Sequence, residues 1–401
     1  MTELHLSKRV EGMYNPATRD IMKLLEKPEI ISFAGGFPSA DGFPVTEIKL
    51  LAGDILSHIE AETLQYSPTK GYRALIKFLA GWLQKGKNIH TAEDEIQITS
   101  GSQQGLDLAC KLFLDEGDQL AVENPTYLSA FQIFNSYQVS YLPIPCDERG
   151  MQVDLLETAL ATHKPKIVYT VATFQNPTGI SLNAERREKL LYLADKHDFL
   201  IIEDNPYGEL RYDGEELPTL KSLDKSGRVI YLGSFSKTIA PGLRVGYLVA
   251  RPEIADKITI AKQAVDVHTS NLSQQIIYEF CRHGYLEPHL NKICREYRKK
   301  RDTMLNALSA YFPAEVKWTH PEGGLFIWAQ LPANIDSTEL LQKAVSRGVA
   351  FVPGNSFFVG NSGYNAMRLN FSNTSPELID KGINVIGQLI KEMINETILS
   401  A

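Results

Sequence analysis

The chain has 401 residues, of which 43% are hydrophobic and 22% are charged, and its formal net charge is −7. This length and hydrophobic fraction predict a soluble globular protein with a sizeable core and about two domains. The charge is negative and interspersed, which provides no basic surface for nucleic acid or acidic membranes, so we expect neither as a partner.

The cysteines and the amino terminus indicate a cytoplasmic protein. Neither a CxxC pair nor a cluster with zinc-ligand spacing is formed by Cys110, Cys146, Cys281 and Cys294, so we expect reduced thiols and no metal site. The amino terminus carries charges where a secretory signal needs an apolar segment, and no apolar run approaches the length of a membrane span.

The amino-terminal segment is predicted to be helical and then irregular. Pro16 suits the first turn of a helix over residues 17–25, and Arg19 lies off its apolar stripe. Arg19 either reaches a site or is a solvated helix residue, and its spacing favours the second interpretation. The pair Gly35–Gly36 predicts a tight loop whose backbone passes close to another group. Tyr66, in a loop between two predicted helices, is either a core aromatic or a ligand donor.

From about residue 95 onward, short β-rich runs alternate with helical patterns, which is typical of βαβ units on a mostly parallel sheet. The last of the seven predicted strands is expected to run opposite to its neighbour. The strands are Ile96–Thr99, Gln119–Val122, Val139–Leu142, Ile167–Val171, Phe199–Ile202, Val229–Leu232 and Val245–Val249.

The pattern changes to α+β near the carboxyl terminus, with short predicted strands such as Val349–Phe351 between helices. We therefore predict an α/β fold in which helices sandwich the seven-stranded sheet of a large domain. The predicted large domain is residues 55–288. Residues 289–401 form the predicted small α+β domain, to which the amino-terminal segment 1–54 contributes.

Polar side chains follow the carboxyl ends of several predicted strands, where open α/β sheets bind ligands. Ser100–Gln103 runs into a helix whose free N–H groups suit an anion, although a serine-rich helix start is common. Tyr127 places an aromatic face where a ring can stack, and Asn176 offers an amide in a turn. Asp204 ends an apolar strand, where a carboxylate is costly unless a cation or several donors pair with it.

A lysine follows the last of these parallel strands. Ser234, Ser236 and Lys237 lie just past its carboxyl end, and Arg244 comes soon after. Lysine forms imines with carbonyl compounds, and an apolar setting or a neighbouring cation lowers its pKa. The serines and Arg244 suit a phosphate group. A surface loop with a solvated lysine explains this stretch equally well when it is taken alone, but together with Asp204 it matches the requirements of pyridoxal phosphate.

These motifs resemble those of the fold-type I pyridoxal-phosphate aminotransferases of the aspartate aminotransferase superfamily. Within it, the chain is most similar to the 2-aminoadipate and broad-specificity (aromatic, kynurenine, branched-chain) subgroup. The resemblance covers nearly the whole chain, and it is carried by the ordered stretches Ile31–Gly36, Gln65–Gly71, Thr99–Gln104, Phe174–Gly179, Gly233–Lys237, Pro241–Gly246 and Met367–Ser372.

The resemblance implies pyridoxal 5′-phosphate as the cofactor and three catalytic residues. Lys237 would form the imine with the cofactor and later move the substrate proton. Asp204 would keep the ring nitrogen protonated, and Tyr207 with Asn176 would hydrogen-bond the phenolic oxygen of the ring. The other implied cofactor contacts are ring stacking by Tyr127 and phosphate binding by Gly101, Ser102, Gln103, Ser234, Ser236 and Arg244.

The resemblance also implies the substrate contacts and a homodimer. Arg368 would receive the substrate α-carboxylate, with Asn176 beside it and the Gly36 loop closing over this end. Tyr66 would reach the phosphate and substrate of the neighbouring subunit, so that the two sites are shared. Arg19, in an amino-terminal substrate lid, would favour dicarboxylic donors such as 2-aminoadipate or glutamate, although the same lid can move away for aromatic or branched side chains.

The implied function is transfer of the amino group of an L-amino acid to a 2-oxo acid such as 2-oxoglutarate by a ping-pong mechanism. The fold alone leaves open other pyridoxal-phosphate reactions, namely cysteine-conjugate β-elimination, decarboxylation and cyclopropane-forming synthase chemistry. A fused transcriptional regulator is disfavoured, because the resemblance begins within about the first thirty residues and leaves no room for a DNA-binding module.

Overall fold

The computed structural model describes residues 6–13, 29–58 and 61–400. The α-helices of these ranges are α1 Lys8–Met13, α2 Val45–His58, α3 Arg73–Lys87, α4 Ser102–Phe113, α5 Leu128–Ser136, α6 Val153–Ala159, α7 Ala184–His197, α8 Leu220–Leu223, α9 Pro252–Asp266, α10 Asn271–Arg282, α11 Leu286–Tyr311, α12 Ser337–Ser346 and α13 Pro376–Ser400.

The strands of the same ranges form three sheets. They are β1 Ile31–Ser32, β2 Ile96–Thr99, β3 Gln119–Asn124, β4 Ser140–Asp147, β5 Gly150–Met151, β6 Ile167–Thr170, β7 Leu200–Asn205, β8 Val229–Ser234, β9 Gly246–Val249, β10 Lys317–Trp318, β11 Phe326–Gln330, β12 Val349–Ala350, β13 Val352–Pro353 and β14 Ala366–Asn370.

The large sheet has the strand order β2-β9-β8-β7-β6-β3-β4-β5. Strands β4, β3, β6, β7 and β8 are parallel to their neighbours in that series, and β9 is antiparallel to both β8 and β2. The predicted α/β fold with one reversed strand is therefore confirmed. The sheet has an eighth strand, because the chain turns after Asp147 and the short β5, which begins at Gly150, pairs antiparallel with β4.

Alternate residues of the central strands enter two different cores. Ile167 and Tyr169 pack in one cluster with Leu106 of α4, whereas Val168 packs in another with Leu190 of α7. Successive strand residues point to opposite faces of a sheet, and here both faces are covered by helices. The sheet is thus a buried layer, and its carboxyl edge is where polar side chains emerge.

A second group of elements follows α11. Strands β10-β11-β14-β13 form an antiparallel sheet in which Trp328 pairs with Arg368, so the strand pairing fixes the position of this arginine. Strand β1 pairs in parallel with β12, which joins residues near 31 to the carboxyl-terminal region. The strand predicted at Val349–Phe351 corresponds to β12, which pairs with β1, and a second short strand, β13, follows it and pairs with β14.

The predicted domain limits fall within continuous helices. The limit after residue 54 lies inside α2, and the limit after residue 288 lies inside α11. The division into domains stays a prediction.

Helix α10 was not predicted from the sequence, and it buries two glutamines beside its apolar residues. Gln274 is fully buried, accepts a hydrogen bond from the backbone of Tyr72 at 2.7 Å and donates to the Thr269 carbonyl at 2.9 Å. These hydrogen bonds tie α10 to the start of α3 and to the turn that precedes α10. Among the described helices, none is long and apolar enough to cross a membrane.

Candidate active site

A cavity of about 390 Å³ lies at the carboxyl edge of the large sheet. The carboxyl ends of β2, β3, β6, β7 and β8 converge there, and β14 contributes Arg368 from the other sheet. Its lining includes many of the polar residues singled out in the sequence, namely Gly36, Ser102, Gln103, Tyr127, Asn176, Asp204, Tyr207, Ser234, Ser236, Lys237, Arg244 and Arg368.

Lys237 presents a primary amine to this cavity. Its Nζ atom donates a hydrogen bond to the Gly36 carbonyl at 2.8 Å. Burial, together with the charges of Arg244 and Arg368, lowers the pKa of the amine from its usual value near 10.5 to about 8. A substantial neutral fraction therefore exists near neutral pH, as a nucleophilic or basic lysine requires.

Asp204 places a carboxyl group on the cavity wall from the end of β7. Tyr169 donates a hydrogen bond to its Oδ2 atom at 3.0 Å. The Oδ1 atom is buried and has no partner in the described part of the chain. Burial raises the pKa of this carboxyl to about 7, although the Tyr169 hydrogen bond acts in the opposite direction. A buried acceptor without a donor costs free energy, and an N–H group of a ligand would supply the missing hydrogen bond.

Asn176 connects the two sides of the cavity. Its Oδ1 atom accepts a hydrogen bond from Arg368 at 2.9 Å, and its Nδ2 atom donates a long one to the Tyr207 hydroxyl at 3.5 Å. Burial raises the pKa of Tyr207, which keeps the phenol protonated and able to donate. The amide thus orients a guanidinium and a phenol toward the same space.

Arg368 is almost completely buried between aromatic rings. Its guanidinium lies 4.4 Å from the Phe326 ring centroid and 5.0 Å from that of Phe357, and it donates to the Ala34 carbonyl at 2.6 Å. Burial lowers its pKa to about 10. Its Nε atom has no hydrogen-bond partner, and no described carboxylate forms an ion pair with the group. A buried cation without a counter-ion is suited to an anionic ligand.

A turn at residues Ser100–Gln103, named here the Ser100 turn, joins β2 to α4. Gly101 has φ +85°, and a Cβ atom at this residue would lie 2.6 Å from a guanidinium nitrogen of Arg244. At Gly246, a Cβ atom would lie 2.7 Å from the Ser102 nitrogen. Two glycines therefore permit Arg244 and β9 to approach the start of α4, whose free N–H groups bind anions.

The residues that line the cavity match the chemical groups of pyridoxal phosphate. The unpartnered Asp204 oxygen suits a pyridinium N–H, and Tyr127 offers a ring face in the cavity wall. The Ser100 turn, the hydroxyls of Ser234 and Ser236, and Arg244 supply the donors that a phosphate needs.

Three of the predicted site residues stand apart from the rest. Gly101 adjoins the cavity through Arg244. Tyr66 is 79% exposed, and its ring makes an edge contact with His268 outside the cavity. Arg19 lies outside the described residues, so its predicted role stays a prediction.

The sequence did not single out Tyr169 or the apolar part of the lining. Tyr169 lies in the interior of β6, where its side chain resembles an ordinary core aromatic, and no local signal distinguishes it. The apolar lining, which includes Phe37, Leu106, Leu128 and Val171, has the same composition as the core.

Comparison with known proteins agrees with the function that the cavity residues indicate. The family "Aminotransferase class I and II" matches residues 28–386. The aromatic-amino-acid aminotransferase 1 of Thermococcus litoralis is 46% identical over 97% of this chain and 95% of its own length. The 2-aminoadipate transaminase of Thermus thermophilus is 39% identical over 94% of each chain. A solved kynurenine aminotransferase of Pyrococcus horikoshii, in complex with PMP, superposes with a TM-score of 0.93 at 45% identity over 97% of both chains.

The family match covers most of the chain, and the relatives cover nearly all of it. The resemblance stated from the motifs is thereby confirmed. The chain belongs to the class I and II aminotransferases, and it is a pyridoxal-phosphate-dependent transaminase of amino acids.

Proposed function

We propose that Lys237, Asp204 and Arg368 each have a separate role in transamination in this cavity. The cofactor, when bound, supplies an aldehyde that condenses with amines and a ring that accepts electrons from the substrate Cα. Lys237 holds and moves the proton of that Cα atom, since its lowered pKa allows it to act as base and acid near neutral pH. The buried Oδ1 atom of Asp204, which has no hydrogen-bond partner within the described ranges, accepts the ring N–H.

The observation that carries the substrate proposal is the buried guanidinium of Arg368. It has aromatic rings on its faces, and its Nε atom finds no partner among the described residues, so its charge is desolvated and incompletely hydrogen-bonded. A carboxylate offers two acceptor oxygens in the geometry of a guanidinium fork. We therefore assign Arg368, held by Asn176, to the α-carboxylate shared by all amino-acid donors.

The remaining lining supports donors with apolar or aromatic side chains. In the described part of the cavity the cations are Lys237, Arg244 and Arg368, and each has a role at the cofactor or the α-carboxylate. None is left for a second carboxylate. The names of relatives that act on aromatic amino acids and kynurenine agree with this assignment. A dicarboxylic donor such as 2-aminoadipate then depends on Arg19.

A donor panel with 2-oxoglutarate as acceptor tests this proposal. We expect phenylalanine, kynurenine, leucine, glutamate and 2-aminoadipate to be ranked by kcat/KM, with aromatic donors at or near the top. Without an acceptor, each active donor is expected to give one equivalent of 2-oxo acid per site, as a ping-pong mechanism requires. Release of ammonia or carbon dioxide in place of the 2-oxo acid would contradict transamination.

Substitution Arg19→Gln is expected to separate the two classes of donor. A charge-assisted hydrogen bond contributes roughly 1.5–3 kcal/mol, so kcat/KM for 2-aminoadipate should fall by about 10- to 100-fold. The value for phenylalanine should change by less than about threefold, since no charge is lost toward it. Arg9→Gln, at an exposed arginine of α1, is the matched control. Equal losses for both donors would contradict the role of Arg19.

The lowered pKa of Lys237 makes a prediction about cofactor uptake. Because only the neutral amine attacks an aldehyde, the rate at which cofactor-free enzyme takes up pyridoxal phosphate should rise with pH and level off above the pKa of about 8. With a lysine of ordinary pKa, the rate of uptake would continue to rise up to about pH 10.4. Stopped-flow absorbance across pH 6–11 measures the profile, and a plateau reached only above about pH 10 would contradict the burial argument.

The proposed assembly is a homodimer in which Tyr66 serves the neighbouring site. Tyr66 is 79% exposed, and Leu64, two positions earlier in the sequence, is also strongly exposed. Helix α2 also exposes Val45, Leu50 and Leu56. These five exposed side chains all lie between residues 45 and 66, and exposed apolar surface is where protein interfaces form. Sedimentation equilibrium is expected to give twice the mass of the chain, and the mass of one chain would contradict the shared site.

We also propose a cytoplasmic location. The four cysteines are free thiols in the structure, which agrees with a reducing compartment. Fractionation of the native host tests this, and recovery with secreted proteins would contradict it.

A further inference from the structure

The Ser100 turn depends on support from outside the cavity. Its central residue is Gly101 at φ +85°, and glycine leaves the backbone free to adopt many other conformations. A site that binds phosphate through backbone N–H groups works well when those groups are held in place before binding. Contacts that fix this turn therefore affect how tightly phosphate is bound.

All three polar groups of Ser100 are held by other residues. Its N–H donates to Oε1 of Gln104 at 2.8 Å, and its carbonyl accepts from Arg244 at 3.2 Å. Its hydroxyl donates to Oδ2 of Asp266 at 3.1 Å and lies 3.1 Å from the Thr269 hydroxyl. Two of these partners belong to the end of α9 and the residues that follow it.

Lys262 and Asp266 of α9 complete the network through Gln104. Gln104 donates from Nε2 to Oδ2 of Asp266 at 2.7 Å. The Lys262 ammonium donates to Oε1 of Gln104 at 2.8 Å and to the two Asp266 oxygens at 2.7 and 2.8 Å. The Lys262 side chain is completely buried, and none of these three residues lines the cavity.

The charges make this network costly to disturb. A buried ammonium paired with one carboxylate is stable only while both partners remain, and removal of either leaves an uncompensated charge. Lys262 also fixes the orientation of the Gln104 amide, because the Oε1 atom of Gln104 accepts hydrogen bonds from both the ammonium and the Ser100 N–H. The position of Ser100 is thus tied to an ion pair on a different helix.

We propose that Lys262 and Asp266 are positioning residues that hold the Ser100 turn in its phosphate-binding conformation. The inference rests on the proposed role of this turn at the cofactor phosphate. The ion pair acts through Gln104 and the Ser100 hydroxyl, without touching the cofactor. Its effect should therefore be confined to the binding energy that comes from the phosphate group.

The test compares the affinity of the enzyme for pyridoxal 5′-phosphate with its affinity for pyridoxal, which lacks the phosphate. In Lys262→Met, the Kd of pyridoxal 5′-phosphate should rise by about tenfold, the order of effect of a hydrogen bond to a charged group. The Kd of pyridoxal should change by less than about twofold, because the ring and lysine contacts are intact. Both values are measured by absorbance titration of cofactor-free, full-length enzyme.

Ser100→Ala provides a milder second variant, since it removes the hydroxyl that reaches Asp266 without burying an unpaired charge. In this variant, too, the Kd of pyridoxal 5′-phosphate should rise more than that of pyridoxal, but by less than in Lys262→Met. Lys257→Met is the matched control, because Lys257 is an exposed lysine of the same helix. If both variants weaken the two ligands equally, or weaken neither, the positioning role is wrong.

Arg244→Gln separates failure of this inference from failure of the proposed phosphate site. Arg244 is assigned directly to the phosphate, so its loss should weaken pyridoxal 5′-phosphate far more than pyridoxal. If Arg244→Gln is selective and Lys262→Met is not, the inference alone fails. If Arg244→Gln shows no selectivity, the phosphate site has been assigned wrongly and the inference fails with it.

Discussion

Replacement of Lys237 by alanine is expected to reduce the rate of transamination by about 10⁴-fold or more. Loss of a positioned general acid and base alone costs about 10²–10⁴-fold. Lys237 is also the amine to which we assign the covalent bond with the cofactor, so the two losses combine. Steady-state kcat with phenylalanine and 2-oxoglutarate measures the effect.

The substituted enzyme should still bind pyridoxal phosphate, because the donors around the phosphate are unchanged. Bound cofactor is measured by absorbance after gel filtration, which separates a catalytic defect from a folding defect. Lys257→Ala, at an exposed lysine of α9, is the matched control and should retain full activity. An alanine variant with more than about a hundredth of the normal kcat would be inconsistent with the role of Lys237.

The second large effect is expected for Asp204→Asn. The substitution keeps the size of the side chain but replaces a carboxylate by a neutral amide beside the proposed ring nitrogen. Loss of one preorganised electrostatic contact costs on the order of 10²–10³-fold in kcat. The KM of the amino acid should change little, since Arg368 and Asn176 are untouched. Steady-state kinetics at saturating cofactor distinguish the two parameters.

Tyr169→Phe is the control for this prediction. It removes the hydrogen bond to Oδ2 at 3.0 Å but leaves the carboxylate in place. Because that hydrogen bond lowers the pKa of Asp204, its loss should raise the pKa further while reducing kcat by far less than Asp204→Asn. If the two variants lose activity equally, the carboxylate is not the group that matters.

Most of the polar residues of the cavity could be predicted from the sequence because of a general property of parallel sheets. Buried strands give recognisable apolar runs, and the residues just beyond their carboxyl ends meet at one edge. Asp204, Asn176 and Lys237 were all found in this way, and the structure places them on one cavity. Arg368 lies on a separate sheet, and the resemblance to aminotransferases, rather than periodicity, singled it out.

Contacts between distant residues were beyond sequence reasoning. Arg368 meets Asn176 across 192 residues, and Lys262 meets Gln104 across 158. Tyr169 supports Asp204 from the middle of an apolar strand, where its hydroxyl gives no local signal. Such pairs depend on the final packing of elements, so neither helix nor strand patterns contain them.

Borohydride reduction of the holoenzyme tests the central claim most directly, because it makes an imine between protein and cofactor permanent. After proteolysis and mass spectrometry, we expect the pyridoxyl group on the peptide that contains Lys237. A pyridoxyl group on a different lysine, or none on any peptide, would contradict the assignment of Lys237 as the covalent anchor of the cofactor.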